Sequence, residues 1–326
     1  MTILRIATRG SDLALVQSRH VAAELARALG VEAELVVLRT TGDRIQDRSL
    51  SKIGGKGLFV KEIEDALLAD RADVAVHSAK DVPARLAPGC VIACYPERRD
   101  PRDALAARER GTTLASLPRG ARVGTGSTRR VALLRALRPD LEIVPLRGNV
   151  PTRLAKIVSE GLDAVVLACA GLDRLGLTDR IDERIAAESM LPAVGQGLLA
   201  LETRADSPWH DRIAALEPEA TGEVARAERA FQTTLGGDCS IPLAGFAERR
   251  ADGTLHLRGL VSSLDGRTIA RAEASAPARA AAALGADVAR AVLAAGGQAI
   301  LQAIAEAAAA EASGAGDGPG RADGDG

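Results

Sequence analysis

The sequence predicts an α/β protein: two similar units facing each other across a cleft, followed by a small α+β unit. Three observations predict this. Short apolar strand patterns alternate with helical ones through the first two thirds of the chain, the punctuation of βαβ units with a mostly parallel sheet. After the polar break ERRDP (97–101) the same grammar starts again. From about residue 220 it gives way to a helix, several strands and another helix.

In the first unit ILRIAT (3–8) is a short apolar strand. Ser11 caps a helix whose apolar positions Leu13, Val16, Val21, Leu25 and Leu29 form one stripe, and Gly30 ends it. AELVVL (33–38) is strand-like, FVKEIEDALLA (59–69) helical, and DVAVHS (73–78) a strand again. In the second unit ARVGT (121–125) leads into the helix STRRVALLRALR (127–138) and the strand LEIVPL (141–146). Pro151 fits the first turn of the helix TRLAKIVSE, Gly161 ends it, and DAVVLA (163–168) follows. After MLPAVGQGLLALETR the chain is expected to return to the first unit, making that unit discontinuous. The expected division is 1–97 with 197–214, then 98–196, then 218–306. The third unit reads as a helix (222–235), strand-like segments at 243–248, 255–263 and 268–274, and an Ala-rich helix from 278. The remainder, 307–326, ends in SGAGDGPGRADGDG and is expected to be a disordered tail, having too little apolar surface to fold.

Composition narrows the function. Hydrophobic residues make up 47% of the 326, enough for real cores, but aromatics only 2%, so Leu, Val, Ile and Ala must build them. A net charge of −1 gives no global attraction to nucleic acid or an acidic membrane, so any anion site is a local concentration of charge. The four cysteines (Cys90, Cys94, Cys169, Cys239) lack CxxC spacing and only four histidines could help them, so no metal site is expected. The start, MTILRIATRG, is too soon polar for a secretory segment and no apolar run reaches membrane length, so a cytoplasmic protein with reduced thiols is expected. Five lysines stand against thirty-seven arginines, and four of the five fall between residues 52 and 80. A compact, movable ammonium is the property they share there.

The richest basic stretch is VGTGSTRR followed by LRGNVPTR. GTGS ends a strand and opens a helix, where free N–H groups and the helix dipole favour an anion. Arg129 and Arg130 lie in that helix's first turn, Arg147 ends the next strand, and Arg153 lies in the first turn of the helix after it. Strand C-terminal ends gather at one edge of a parallel sheet, so these arginines converge on one crevice; the plainer reading is a solvated basic stripe. Arg9 and Ser11 follow the first strand in the same way. Arginine's planar fork suits carboxylate and phosphate alike, and without a Walker or GxGxxG pattern a nucleotide is not favoured over a polycarboxylate. VHSAKDVP (76–83) brings Ser78, Lys80 and Asp81 to a strand end. Asp81 there is either a turn former or an ionised group that stabilises a developing cation. KIGGKGLFVKE (52–62), with Lys52 and Lys56, reads as a mobile cover for a site, and lacks the hydroxyl of a phosphate cradle. Cys239, in the glycine turn GGDCSIP, has no placed base for hydrolytic work and sits poorly as a buried apolar residue, which leaves covalent attachment.

RIATRGSDLAL, GGKGLFVKEIE, VHSAKDVP, RRDPRDA, VGTGSTRR, LRGNVPTRL, ACAGLDRLG, LPAVGQG and ERAFQTTLGGDCSIP, in this order, closely resemble the porphobilinogen deaminase (hydroxymethylbilane synthase) family. The resemblance implies two domains forming a cleft like that of periplasmic solute-binding proteins, and a small α+β C-terminal domain. It implies an enzyme condensing four porphobilinogen molecules head to tail into hydroxymethylbilane, with release of four ammonia, in tetrapyrrole (haem) biosynthesis. The cofactor would be a dipyrromethane held by a thioether to Cys239. By resemblance Asp81 is catalytic; Ser78, Lys80, Asp81, Thr125, Ser127, Arg129, Arg130, Arg147 and Gly148 hold the cofactor; and Arg9, Ser11, Lys52, Lys56, Arg147, Arg153 and Arg174 bind substrate. It further implies a monomer without nucleic-acid, membrane or metal partners, passing its product to the next tetrapyrrole enzyme. One departure is Asp238, where the family more often has a small residue; its like charge would push the Cys239 thiol up. The reading from another class is a non-catalytic anion- or solute-binding module.

Overall fold

In a computed structural model of the chain, residues 2–40, 60–236 and 241–314 are described, the last four without their side chains. The first sheet contains β1 (Ile3–Arg9), β2 (Glu32–Leu38), β3 (Val74–Ser78), β4 (Cys90–Cys94) and the late strand β10 (Leu199–Arg204), in the order β2-β1-β3-β10-β4. Its helices are α1 (Asp12–Leu29) and α2 (Lys61–Leu68). Ser11 does cap α1, accepting from the Ala14 N–H at 3.4 Å, and Gly30 ends it at φ 65. Leu4, Ile6, Val21, Leu25, Val74 and Leu201 close one side of the sheet; Ala7, Ile63, Leu67 and Ala75 close the other.

The second sheet repeats the plan. β5 (Asp103–Ala107), β6 (Arg122–Thr125), β7 (Glu142–Pro145), β8 (Ala164–Ala168) and β9 (Glu183–Ile185) lie in the order β7-β6-β8-β5-β9, with α3 (Thr128–Leu137), α4 (Val150–Ser159) and α5 (Cys169–Arg174). In each sheet three strands run parallel and the fourth position is antiparallel to both neighbours. That fourth strand is the one the chain supplies after crossing from the other sheet: β5 on the way out, β10 on the way back. Parallel pairing therefore fills only half of each sheet, because a strand that arrives by crossing enters from the opposite end.

Two segments, 95–102 and 186–198, make these crossings. Arg98 on the outgoing one donates to the Gln196 carbonyl on the returning one at 3.0 and 2.9 Å. It also pairs with Glu228 at 2.7 Å, and Glu228 accepts from the Gly195 and Ala247 N–H groups at 2.7 and 2.9 Å.

A short helix α6 (His210–Ala214) precedes the third unit, in which α7 (Glu219–Leu235) and α8 (Ala281–Val292) cover an antiparallel sheet β11 (Leu243–Arg249), β12 (Thr254–Ser262), β13 (Ile269–Pro277). Phe231 fills its centre with Leu255, Leu257, Val261, Leu284 and Val288. Gly259 makes room for that ring: a Cβ there would stand 2.3 Å from Phe231. The last helix, α9 (Gln298–Gly314), runs past the point where the disordered tail was expected to begin, because AEAAAAEAS has the strongest helix-forming composition in the chain; the rest of that tail, 315–326, lies outside the described residues. The expectation about apolar runs needs correction too. Ala278–Ala310 reaches membrane length by length and composition, since alanine counts as apolar. It is broken by a π segment, Leu293–Gly297, with Gly296 at φ 107, and its Ala281, Leu284, Val288 and Val292 belong to the third core.

Candidate active site

The strand ends decide where the charges go. Beyond Ser78 a single 3-10 turn, Ala79–Asp81, carries Lys80 and the exposed Asp81. Ser78 Oγ and the Gln17 amide bond each other at 3.2 and 3.3 Å, which ties the turn to α1. Gly195 (φ 73) presses on it from the returning crossing: a Cβ there would stand 2.9 Å from the Lys80 backbone nitrogen. From α7, Arg229 donates to the carbonyls of Val82, Pro83 and Ala84 at 3.1, 2.8 and 3.4 Å. Three elements thus hold the turn: an amide, a backbone contact and a guanidinium on carbonyls, with no carboxylate among them.

The second sheet holds its charges differently. β6 ends at buried Thr125, and Ser127 caps α3 by accepting from the Arg130 N–H at 3.4 Å. Arg129 and Arg130 then turn inward onto Asp103, which opens β5. Arg129 meets its two oxygens at 2.8 and 3.0 Å, Arg130 Nε reaches Oδ1 at 2.9 Å, and the Gln196 amide adds a bond at 3.0 Å. Asp103 is 0% exposed, Arg129 3% and Arg130 5%. Burial pushes the Asp103 carboxyl up, but Arg129 and Arg130 outweigh it and hold the group well below the usual carboxylate range. Further on, Arg147 follows β7, Asn149 caps α4 by accepting from the Thr152 N–H at 2.9 Å, and Arg153 Nε donates to the Gly148 carbonyl at 2.7 Å.

These two sets meet between the sheets. Desolvation pushes the Lys80 ammonium down to about 8, against Asp81, with Arg130, Asp103 and Arg129 also acting on it. Desolvation also pushes Arg153 down, and Arg130, Asp81 and Arg147 act on it. Lys80, Arg129, Arg130, Arg147 and Arg153 therefore gather around two carboxylates, Asp81 and Asp103, of which Asp103 is committed to its arginines. Partly desolvated cations in excess favour a ligand with several carboxylates.

Arg9 ends β1 and Ser11 starts α1; Leu13 lies 3.7 Å from where a Cβ on Gly171 of α5 would stand, so α1 begins against the second unit. Gly148 takes φ 112 beside Thr152. Arg174 does not join the Asp81 group: it donates to the Gly197 carbonyl at 3.0 Å, and the charge acting on it is that of Arg99. Lys52, Lys56, Asp238 and Cys239 lie outside the described residues. Cys90, Cys94 and Cys169 are buried free thiols, each pushed up to about 12 by burial. Sequence reasoning missed Asp103, Gln196, Gln17 and Arg229. Asp103, Gln196 and Arg229 stand in motifs quoted above, RRDPRDA, LPAVGQG and ERAFQTTLGGDCSIP, and a polar residue opening an apolar run (DALAA) was the one available sign of Asp103.

The family profile described as "Porphobilinogen deaminase, dipyromethane cofactor binding domain" matches residues 4–211, and "Porphobilinogen deaminase, C-terminal domain" matches 223–294. A protein of Syntrophus aciditrophicus named porphobilinogen deaminase is 49% identical over 304 residues, covering 92% of this chain and 98% of that one. Its namesake in Sorangium cellulosum is 52% identical over 274 residues, covering 83% and 91%. Among solved structures, the Bordetella pertussis BvgS VFT2 domain aligns with a TM-score of 0.41 at 16% identity, covering 65% of this chain and 84% of that one.

Proposed function

The chain belongs to the porphobilinogen deaminase family, and from that premise we propose how its residues divide the work. The reaction is the condensation of four porphobilinogen molecules into hydroxymethylbilane with loss of four ammonia, on a dipyrromethane cofactor. This sets aside the reading as a non-catalytic anion-binding module.

The residues fit the cofactor. Each pyrrole ring carries an acetate and a propionate, and the meeting of Lys80 and Asp81 with Arg130, Arg147 and Arg153 is the observation that carries the assignment. Arg147 and Arg153 have no carboxylate partner among the described residues, so their forks are available to ligand carboxylates, each charged bond contributing about 1.5–3 kcal/mol. Ser78, Lys80, Thr125, Ser127, Arg129, Arg130, Arg147 and Gly148 are assigned to the cofactor, with Arg129 acting through the fixed position it takes on Asp103. Arg9, Ser11, Arg147, Arg153 and Arg174 are assigned to substrate side chains, together with Lys52 and Lys56. Bound through Cys239, the dipyrromethane would supply the free α-carbon to which the first porphobilinogen methylene carbon is joined, that α-carbon losing its hydrogen as a proton. Asp81 accepts the pyrrole N–H of the substrate and stabilises the positive charge that develops there as the aminomethyl C–N bond breaks and ammonia leaves. The surrounding cations hold the substrate's carboxylates in place while that happens.

Three domains follow from this division: 1–97 with 197–214, 98–196, and 218–306. We further assign the enzyme to the cytoplasm, as a monomer without nucleic-acid or membrane partners, handing its product to the next tetrapyrrole enzyme. Intact mass spectrometry tests the whole reading. Chain purified from cells making porphobilinogen should exceed its bare mass by one dipyrromethane and redden with acidic Ehrlich reagent, and Cys239→Ala should lose that increment. A bare mass for the parent chain, or an unchanged increment in C239A, would refute it.

A further inference from the structure

Glu202, in β10, is 0% exposed, and neither of its oxygens receives a well-directed hydrogen bond among the described residues. A buried carboxylate needs donors, so its surroundings matter. The register sets Glu202 on the face that α2 covers: it lies opposite Ala75 of β3 and Ile92 of β4, and Ala75 packs with Ile63 and Leu67 of α2 and with Cys90. His77, two residues after Ala75, shares that face. Its Nε2 lies 2.7 Å from Glu202 Oε2, without the alignment of a hydrogen bond. From α2, Glu64 is 8% exposed beside Ile63 and Leu67. Its Oε1 accepts the Ala87 N–H at 2.7 Å, and its carboxyl meets that of Glu202. Desolvation pushes Glu64 up, the Ala87 bond opposes this, and Glu202 adds to the rise. Burial keeps Cys90 a thiol, pushed up to about 12, and Arg204 directs its guanidinium to Asp70 and Asp206 at 2.9 and 3.1 Å. Glu64, Glu202 and His77 are left to balance charge among themselves.

We propose that Glu64, donating its O–H to the Glu202 carboxylate, forms with His77 a buried network that positions the Lys80–Asp81 turn. The inference rests on the function proposed above. Two buried carboxylates in contact repel each other and lose their hydration, whereas an acid and a carboxylate make a strong O–H···O⁻ bond. The proton on Glu64 also gives Glu202 the donor it lacks. The network grips the turn from both sides. His77 precedes Ser78 at the entry, and Ser78 is fixed to Gln17 on the opposite face of the strand. Ala87 lies beyond the turn, before β4, and is fixed to Glu64. Glu64 and Glu202 are thus positioning residues, acting through the backbone that carries Asp81.

Holoenzymes of the parent, Glu202→Gln, Glu64→Ala and Glu64→Gln are compared by steady-state kinetics, intact mass and urea unfolding. In E202Q and E64A kcat should fall about tenfold or more with KM and cofactor mass unchanged, since the turn moves while ligand contacts remain. E64Q should recover most of that loss, because its amide accepts from Ala87 and donates to Glu202. A purely structural role would lower the urea midpoint and leave kcat of the folded enzyme alone. Unfolding also reads the proton. The folded-to-unfolded ratio of the parent relative to E64Q should be constant below the unfolded value of 4.5. Above it the ratio should fall about tenfold per pH unit until Glu64 ionises, because the folded chain keeps a proton that the unfolded chain has lost. Parallel pH curves overturn the acid form of Glu64. Parental kcat in E202Q and E64A overturns the positioning role, and E64A alone decides it if E202Q does not fold. A parent chain that forms no hydroxymethylbilane overturns the underlying function instead, while the pH curves still decide the proton.

Discussion

The two sheets share one strand plan and support their working ends by opposite means. After β3 the turn bearing Lys80 and Asp81 is gripped by an amide, a glycine contact and an arginine on backbone carbonyls. After β6 the arginines are gripped by a buried carboxylate, Asp103, with Gln196 completing the network. Support without an ion pair leaves the Asp81 carboxylate exposed for a substrate. Ionic support fixes two guanidiniums that would otherwise be long and mobile, but makes that sheet depend on a single charge.

The sharpest way to break this contrast is Asp103→Ala. It strands two buried guanidiniums and should cost about 3–5 kcal/mol in urea unfolding, with Asp103→Asn losing less. Asp103 has a folded value below its unfolded 3.8, so its stabilisation is present above that unfolded value and is lost progressively as pH falls below it toward the folded one. The parent chain should therefore lose stability in that window, and D103N should show a flatter acid limb. Asp81→Ala in the other sheet should instead unfold like the parent yet turn over about 10²–10³-fold more slowly, read by product formation with the cofactor mass intact. Near-normal turnover would remove Asp81 from the chemistry.

Lys80 gives a smaller effect. Its ammonium is lowered from 10.5 to about 8, so between those values the folded, ligand-free chain has shed a proton the unfolded chain keeps. Stability of that form should rise with pH across the window while the site loses a cation. Cofactor uptake by the bare chain, followed by intact mass, should decline as pH passes about 8, and Lys80→Arg should move the decline upward. Smallest is the pair of matched caps. Ser11→Ala and Ser127→Ala should each cost about 1 kcal/mol in thermal or urea unfolding, since the two hydroxyls accept equivalent first-turn N–H groups.

Those caps also show what was legible in the sequence. Ser11, Ser127, Gly30 and Pro151 announce helix ends through local chemistry, and the parallel strands lie between them. β4, β5, β9 and β10 were not anticipated: CVIAC, DALAA and ERI are short, lack alternation, and have no turn residues that define them. The Asp81 group was readable because its members sit at strand ends or in the first turn of the helix that follows. Asp103 was not, since its meaning depends on arginines 26 and 27 residues away that look like ligand-binding groups on their own. The tail was misread from 307 to 314 because low hydrophobic bulk was taken as disorder, although alanine propagates a helix without a core.

Glu228 has a mechanical consequence. Any rotation of one sheet against the other has the segments 95–102 and 186–198 to turn on, and this one carboxylate holds Arg98 in the first and Gly195 in the second. The helix that carries it is therefore joined to both crossings at once, so a displacement of either segment is passed to the third unit through a single side chain.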